Sequence, residues 1–392
     1  MPDGSILVIN TGSSSLKFGL YSQHQGEEHV EVDGSADGIG KDSGKIEIKD
    51  AYGKILRSEK LNVPSQADAL DHASQWLASL PNFIPIAIGH RVVHGGPHLV
   101  NHQPITPALI EELKRCVHFA PLHIPAALEL INKAAKSFPH IPQFACFDTA
   151  FHQHMPIDAT MFPLPAGLFN EGVRRYGFHG LSYESIVHQL GQKLPEKTVI
   201  AHLGSGASLA AVRNGVSVDT SMGLTPTGGI PMATRSGDLD PGVLLYLLRA
   251  KKIKVDVLES LLNNKAGLIG ISDGTSDMRD LETKAARGDA QATLAIDIFC
   301  RSIRKTIAAY SAVLEGIDLL VFSGGIGENS AQVRREICRG LEFLGISIDD
   351  SANRLHSTPI STDKSRVRVQ VVPSKEDFQI ARHCRQMMQQ GA

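Results

Sequence analysis

Two short units, alike in sequence and about half a chain apart, constrain this chain more than any other feature. In the first, the β-branched run Ser5 to Ile9 leads through Asn-Thr-Gly-Ser-Ser-Ser into Leu16, Phe18 and Leu20. These three alternate with Lys17, Gly19 and Tyr21. A period of two on either side of a small-residue loop predicts a β-hairpin. In the second, Thr198 to Leu203 lead through Gly204–Ser208 into Leu209 to Val212, so TGSSSL ending at Leu16 is echoed by GSGASL ending at Leu209. Duplication of one fold is the economical explanation, and chance likeness of two Gly/Ser hairpins is its competitor. A length of 392 residues accommodates two domains.

Further apolar runs end in polar residues: Ile84 to Ile88 before Gly89-His90-Arg91, Phe144 to Phe147 before Asp148, and Leu319 to Phe322 before Ser323-Gly-Gly-Ile-Gly-Glu-Asn329. Helical spacing recurs over Ala292 to Leu314 and from Ser330, as N-cap, to about Leu341. Gly96 to Pro107 and His356 to Arg366 have the composition of loops. Alternating strands and helices predict an α/β fold with mixed sheets. No low-complexity linker interrupts the chain, so the site is expected in a cleft between packed domains.

Charge excludes some functions. With 39 Lys+Arg against 41 Asp+Glu, the net charge of −2 gives no general affinity for nucleic acid or an anionic membrane. Five cysteines without a C-x-x-C pair indicate neither a disulfide framework nor a zinc ribbon. The N-terminal apolar run is short, lacks a basic segment before it, and no stretch approaches a membrane span, so a cytoplasmic protein is expected.

The glycines cluster in three small-residue loops, Thr11–Ser15, Gly204–Ser208 and Gly324–Asn329. Such loops let an anion approach successive backbone N–H groups, and three of them point to a polyphosphate. No G-x-x-x-x-G-K-[ST] is present, and no G-x-G-x-x-G carries its full strand–helix context. Arg91 in GHRVVHGG and Arg235 in MATRSGDLDPG stand among glycines, as suits guanidinium groups at a cleft. A surface salt bridge is the alternative for either one. Asp148 after FACF is a candidate functional acid or a buried capping carboxylate, and His179 lies between aromatic residues and glycine in RRYGFHGLSY. His90 and His94 have i, i+4 spacing, but at a strand-to-loop junction this does not make a metal pair.

Taken in order, VINTGSSSLKF, GHRVVHGG, APLHIP, FDTAFHQHMP, RRYGFHG, HLGSGAS, DTSMGLTPTGG, TRSGDLDPG, SGGIGENS and PSKEDFQIAR resemble the acetate kinase family, collinearly from Ile6 to Arg382. The resemblance implies two duplicated ribonuclease-H-like, actin-like ATPase domains. These would be residues 1–149 with a returning C-terminal helix of about 378–392, and residues 150–377. It also implies a homodimer that forms acetyl phosphate reversibly from acetate and ATP, with Mg²⁺ or Mn²⁺ in its place. By the same resemblance Asn10 and Glu376 are associated with the metal and Lys17 with the ATP phosphates. Arg91 would bind the substrate carboxylate, Asp148 occupies the family's acid/base position, and His179 and Arg235 would stabilise the transferring phosphoryl group.

His202, Leu203, Gly204, Ser205 and Gly206, with Asp277, Met278 and Arg279 and with Gly325, Ile326, Gly327, Glu328 and Asn329, would hold the nucleotide. His123 matches a further active-site histidine, and Val93, Leu122, Phe178 and Pro226 shape the acyl pocket. The chain departs from the usual pattern at Ser205, Ile124, Lys375 and the PTGGIPMATRSG stretch. A carboxylic acid of pKa roughly 4 is already ionised at neutral pH, so Asp148 is expected to orient or to act in the metal's outer shell rather than to remove a proton. Two other readings remain: a propionate or butyrate kinase on the same scaffold, and a non-enzymatic ATP clamp.

Overall fold

The run Ile6-Leu-Val-Ile9 has apolar residues at every position, the mark of a strand covered on both faces. In the computed structural model, which describes residues 4–12, 15–40, 44–80, 85–121 and 123–390, this strand lies inside an eight-stranded sheet. The strands are β1 (Ile6–Thr11), β2 (Ser15–His24), β3 (Glu27–Asp37), β4 (Gly44–Asp50), β5 (Ile55–Leu61), β6 (Ala87–Val92), β7 (Gln103–Pro104) and β8 (Gln143–Phe147), in the order β5-β4-β3-β2-β1-β6-β8-β7. The β1–β2 and β2–β3 pairs are antiparallel, and β1–β6 and β6–β8 are parallel.

Alternation sends the side chains of β1 to opposite faces. Leu7 and Ile9 join Leu16, Phe18, Leu70, Leu77 and Leu130 in one buried cluster, beneath helices Gln66–Ala78 and Ile124–Ser137. Ile6 and Val8 join Tyr21, Phe144, Cys146 and Leu181 in another, beneath helix Glu376–Gln390, which contributes Ile380, Ala381 and Cys384. That helix lies so close to β6 that a Cβ on Gly89 would stand 2.5 Å from Ile380 and 2.7 Å from Cys384. Arg385 anchors it further, donating from Nε to Glu28 at 2.9 Å and from Nη2 to the Tyr21 carbonyl at 2.8 Å.

A second sheet contains β9 (Lys197–Leu203), β10 (Ala207–Arg213), β11 (Val216–Thr220), β12 (Leu319–Ser323) and β13 (Arg368–Val371), ordered β11-β10-β9-β12-β13. Its pairings run antiparallel, antiparallel, parallel, parallel, the same succession as β3-β2-β1-β6-β8. Helix Ala290–Val313, capped by Asp289, packs on β9 and β10 and buries Ala292, Ala295, Ile296, Phe299, Ile303 and Ile307 at helical spacing.

The chain divides into two compact units. One comprises residues 1–150, 180–185 and 375–392, and the other comprises 151–179 and 186–374. Residues 180–185 fall in the first unit, where Leu181 packs in the Ile6 cluster. Two local expectations are corrected. Gly89 to Arg91 lie within β6 rather than after a strand ending at Ile88, and Ile84 lies outside the described residues. Gly324–Asn329 is a short helix, not a loop. Gly324 turns with φ 76°, and buried Arg334 donates to the carbonyls of Gly327 and Glu328 at the helix end. The five cysteines are free and buried, and among the described residues no helix is long and apolar enough to cross a membrane.

His90 gives the fold a pH dependence. It is fully buried on β6 and donates from Nε2 to Gln143 Oε1 at 2.6 Å, and burial lowers its pKa to about 4. The unfolded chain then binds more protons than the folded one between about pH 6.5 and 4. The contribution of His90 is complete above this window and falls by about 3 kcal/mol as pH drops through it. In urea unfolding the stability of the native protein relative to His90→Gln, in which the other titrating groups cancel, should fall by about that amount from pH 7 to pH 4; parallel profiles would contradict it.

Candidate active site

Three parallel strands bring their C-terminal ends together at one edge of the first unit's sheet, where α/β sheets bind ligands. β1 delivers Asn10, β6 delivers Arg91, and β8 runs into Asp148. Arg91 donates to Asp148 Oδ2 from Nε at 2.9 Å and from Nη2 at 2.5 Å. Its Nη1 donates to the Thr11 carbonyl at 2.9 Å and to Asn10 Oδ1 at 3.4 Å. Burial works against the Arg91 charge, but Asp148, Glu376 and Asp377 outweigh it and hold the guanidinium pKa above its ordinary value. Burial pushes the Asp148 carboxyl up to about 6 against the pull of Arg91, whose two short bonds to Oδ2 are those of an ion pair.

The helix Glu376–Gln390 adds two carboxylates. Asn10 Nδ2 donates to Asp377 Oδ1 at 2.7 Å and to Glu376 Oε2 at 3.2 Å. Burial raises the Asp377 pKa to about 6, opposed by Asn10 and by Lys17, which is paired with Asn10 across β1 and β2. Asp148 Oδ1 is buried without a hydrogen-bond partner. An orphaned carboxylate oxygen beside Asn10, Glu376 and Asp377 makes an all-oxygen donor set, which fits a hard divalent cation such as Mg²⁺. Asp377 is the residue sequence reasoning missed. An acid in a helix's first turn is ordinarily read as a partner of the helix dipole, and only the neighbouring Glu376 hinted at more.

Elsewhere in this unit Val93 is buried and His123 is the N-cap of helix Ile124–Ser137. Leu122, Ser13 and Ser14 lie outside the described residues.

In the second unit His179 has φ 59°, a left-handed conformation uncommon for a residue with a side chain and often found at functional sites. Its Nδ1 lies 2.9 Å from Ser208 Oγ, and its ring stacks on His202 with centroids 4.4 Å apart. Gly206 passes so near that a Cβ would be 3.1 Å from His179 Nε2 and 3.8 Å from Arg235 Nη1. Arg235 Nη1 donates to the carbonyl of buried Pro226 at 3.1 Å, and Ala233 N–H donates to the Ser205 carbonyl at 3.1 Å. His179, His202, Gly206 and Arg235 therefore share one neighbourhood. Phe178 is buried, with its carbonyl 3.1 Å from His152 Nε2.

The remaining nucleotide candidates divide by what their side chains do. The hairpin turn tightens to Gly204–Gly206, and a Cβ on Gly204 would be 3.9 Å from Gly325 N, so the two glycine segments adjoin. Leu203 and Met278 are buried in the core. Glu328 Oε1 accepts from the N–H groups of Gly324 at 2.9 Å and Ser374 at 3.1 Å, and Asn329 donates to the Gly325 carbonyl at 2.9 Å. These four side chains support the fold, leaving the backbone near Gly325, Ile326 and Gly327 as the phosphate candidate. Asp277 caps helix Met278–Ala286 and pairs with exposed Arg279 at 2.6 Å.

Two sheet-containing α/β units of this kind are consistent with the actin- and Hsp70-like class of ATPase fold. The chain belongs to the acetokinase family, whose profile matches residues 5–382. It is 41% identical to an acetate kinase of Methylocella silvestris, over 99% of this chain and 98% of that one. Among solved structures it is similar to Porphyromonas gingivalis acetate kinase, with 36% identity, TM-score 0.87 and coverage of 98% and 100% of the two chains. It is also similar to a propionate kinase from Francisella tularensis, with 38% identity, TM-score 0.90 and coverage of 97% and 98%.

The buried pair predicts a stability effect. Asp148→Ala strands the Arg91 charge and should lower the unfolding free energy by about 3 kcal/mol in urea at pH 7, and a loss below about 1 kcal/mol would show that the pair is not held as described.

Proposed function

We propose that the chain transfers the γ-phosphoryl group of ATP to acetate, reversibly giving acetyl phosphate and ADP, with Mg²⁺. The observation that carries this reading is the Arg91 guanidinium, fixed by Asp148, Thr11 and Asn10 beside a group of carboxylates. Among the described residues four of its five N–H groups find partners, and the second Nη2 proton is the one proposed to meet the substrate carboxylate. Acetate is ionised at neutral pH, so its oxygen attacks phosphorus in line without a general base, and Asp148 acts by holding Arg91.

His179 and Arg235 meet charge on the phosphoryl oxygens, which such a transfer needs more than covalent chemistry. Asn10 and Glu376, with Asp377 alongside, would hold the metal. Mg²⁺, when bound, neutralises the nucleotide phosphates. By the family resemblance Lys17 and the backbone of Gly204–Gly206 and Gly325–Gly327 would bind the phosphates, His202, Asp277 and Arg279 the rest of the nucleotide, and His123, Val93, Phe178, Pro226 and, by the resemblance alone, Leu122 the acyl group.

The matching strand order of β3-β2-β1-β6-β8 and β11-β10-β9-β12-β13 supports two copies of one ribonuclease-H-like unit. The family resemblance supports a cytoplasmic homodimer. A second reading, propionate as substrate, is favoured by the likeness to the Francisella propionate kinase structure.

Hydroxylamine trapping with ATP, Mg²⁺ and a panel of short acids tests both readings. Acetate should exceed propionate roughly 10-fold or more in kcat/KM, the worth of one methylene against an apolar wall. Propionate equal to or above acetate supports the second reading, and no hydroxamate from any acid overturns the kinase. In the same assay Gly206→Ala should cost about 10–100-fold in kcat with an unchanged melting temperature, because the methyl displaces His179. Full activity in that variant would remove His179 and Gly206 from the site.

A further inference from the structure

Beside the Arg91 site the first unit holds a second polar cluster, His102, Glu184 and His383, which the reaction described above does not use. His102 Nε2 lies 3.3 Å from both Glu184 oxygens, His383 Nε2 lies 2.7 Å from Oε2, and the two imidazoles face each other with centroids 4.0 Å apart. Burial raises the Glu184 pKa, but hydrogen bonds from both histidines outweigh it and hold the carboxyl at about 2.

Three ligand atoms within 4.8 Å of one another could suit a metal, but the other ring nitrogen of His102 decides otherwise. Phe147 N–H donates to His102 Nδ1 at 3.0 Å. A backbone N–H can only donate, so Nδ1 carries no proton and the neutral ring has its proton on Nε2, aimed at Glu184. A metal at Nε2 would drive that proton onto Nδ1, against Phe147 N–H.

The same bond connects the cluster to the site. β7 pairs with β8 only at Ala145 and Phe144, so beyond that pairing the buried Phe147 N–H finds its partner in a side chain. Phe147 is the last residue of β8, and the next is Asp148, whose N–H donates to the Val92 carbonyl at 3.0 Å. We propose that His102, Glu184 and His383 form a positioning relay: Glu184, braced by His383, fixes the His102 tautomer, and His102 fixes the end of β8 from which Asp148 holds Arg91. These are positioning residues. The proposal rests on the reading above that Arg91 binds the substrate carboxylate.

The test compares His102→Leu, which loses the acceptor for Phe147 N–H, with His102→Asn, whose Oδ1 replaces Nδ1. His102→Leu should raise KM for acetate about 10-fold or more, leave KM for ATP within about twofold, and speed amide exchange at Phe147. His102→Asn should restore most of both the acetate KM and the amide protection. Should His102→Leu fail to fold, Glu184→Ala, which releases the tautomer and keeps the imidazole, should give the same acetate-selective rise. An unchanged acetate KM, an equal rise in both KM values, or no rescue by Asn overturns the relay. Native protein in the same assay separates the two failures: if it forms acyl phosphate while the variants are unaffected, only the relay is wrong, and if it forms none the kinase reading and the relay fall together.

Discussion

The ion pair between Arg91 and Asp148 is the constraint on which the rest of the first unit turns. Taking a guanidinium and a carboxylate out of water is costly, and the cost is offset only where the geometry is good and the remaining donors are satisfied. Two Arg91 nitrogens on one Asp148 oxygen, with the Thr11 carbonyl and Asn10 on Nη1, meet most of that condition and leave Asp148 Oδ1 buried without a partner. It depends on β1, β6 and β8 being parallel neighbours, and their apolar sequences allow this because helices cover both faces. The helix Glu376–Gln390, packed hard against Gly89, does two things: its apolar face completes the core, and its first turn carries Glu376 and Asp377 to Asn10.

The second unit reaches a dense polar arrangement by a different route. A glycine turn between β9 and β10 allows the backbone at Gly206 to pass His179, whose own left-handed conformation opens the helix that follows it. His179 is held through Ser208 and against His202, both next to that turn on the hairpin strands. The groups that hold the strained His179 thus belong to one hairpin, and their placement follows from the ladder of β9 and β10.

Much of this was legible in the sequence because it is local. Hairpins show as period-two alternation around small residues, and Arg91 and Asp148 are marked by the apolar runs before them. Ser330 caps the helix that follows it. The rest depends on meetings between distant residues. Asn10 and Asp377 are 367 positions apart, and no spacing rule joins them. Glu328 belongs to a stretch that reads as a phosphate loop, yet its carboxylate binds the Gly324 and Ser374 N–H groups, because an acid there satisfies the turn into a short helix. His102, Glu184 and His383 come from a loop and two helices, and only the folded chain brings them together.

If Arg91 and Asp148 act as one unit on the substrate, their effects on catalysis cannot add. The most direct test is a double-mutant cycle on kcat/KM for acetate with Arg91→Ala, Asp148→Ala and the pair. The account predicts that once either partner is gone, removing the second costs little more, a coupling of about 2 kcal/mol or greater. Additive losses would mean that the two residues contribute separately and that the buried pair does not organise the site.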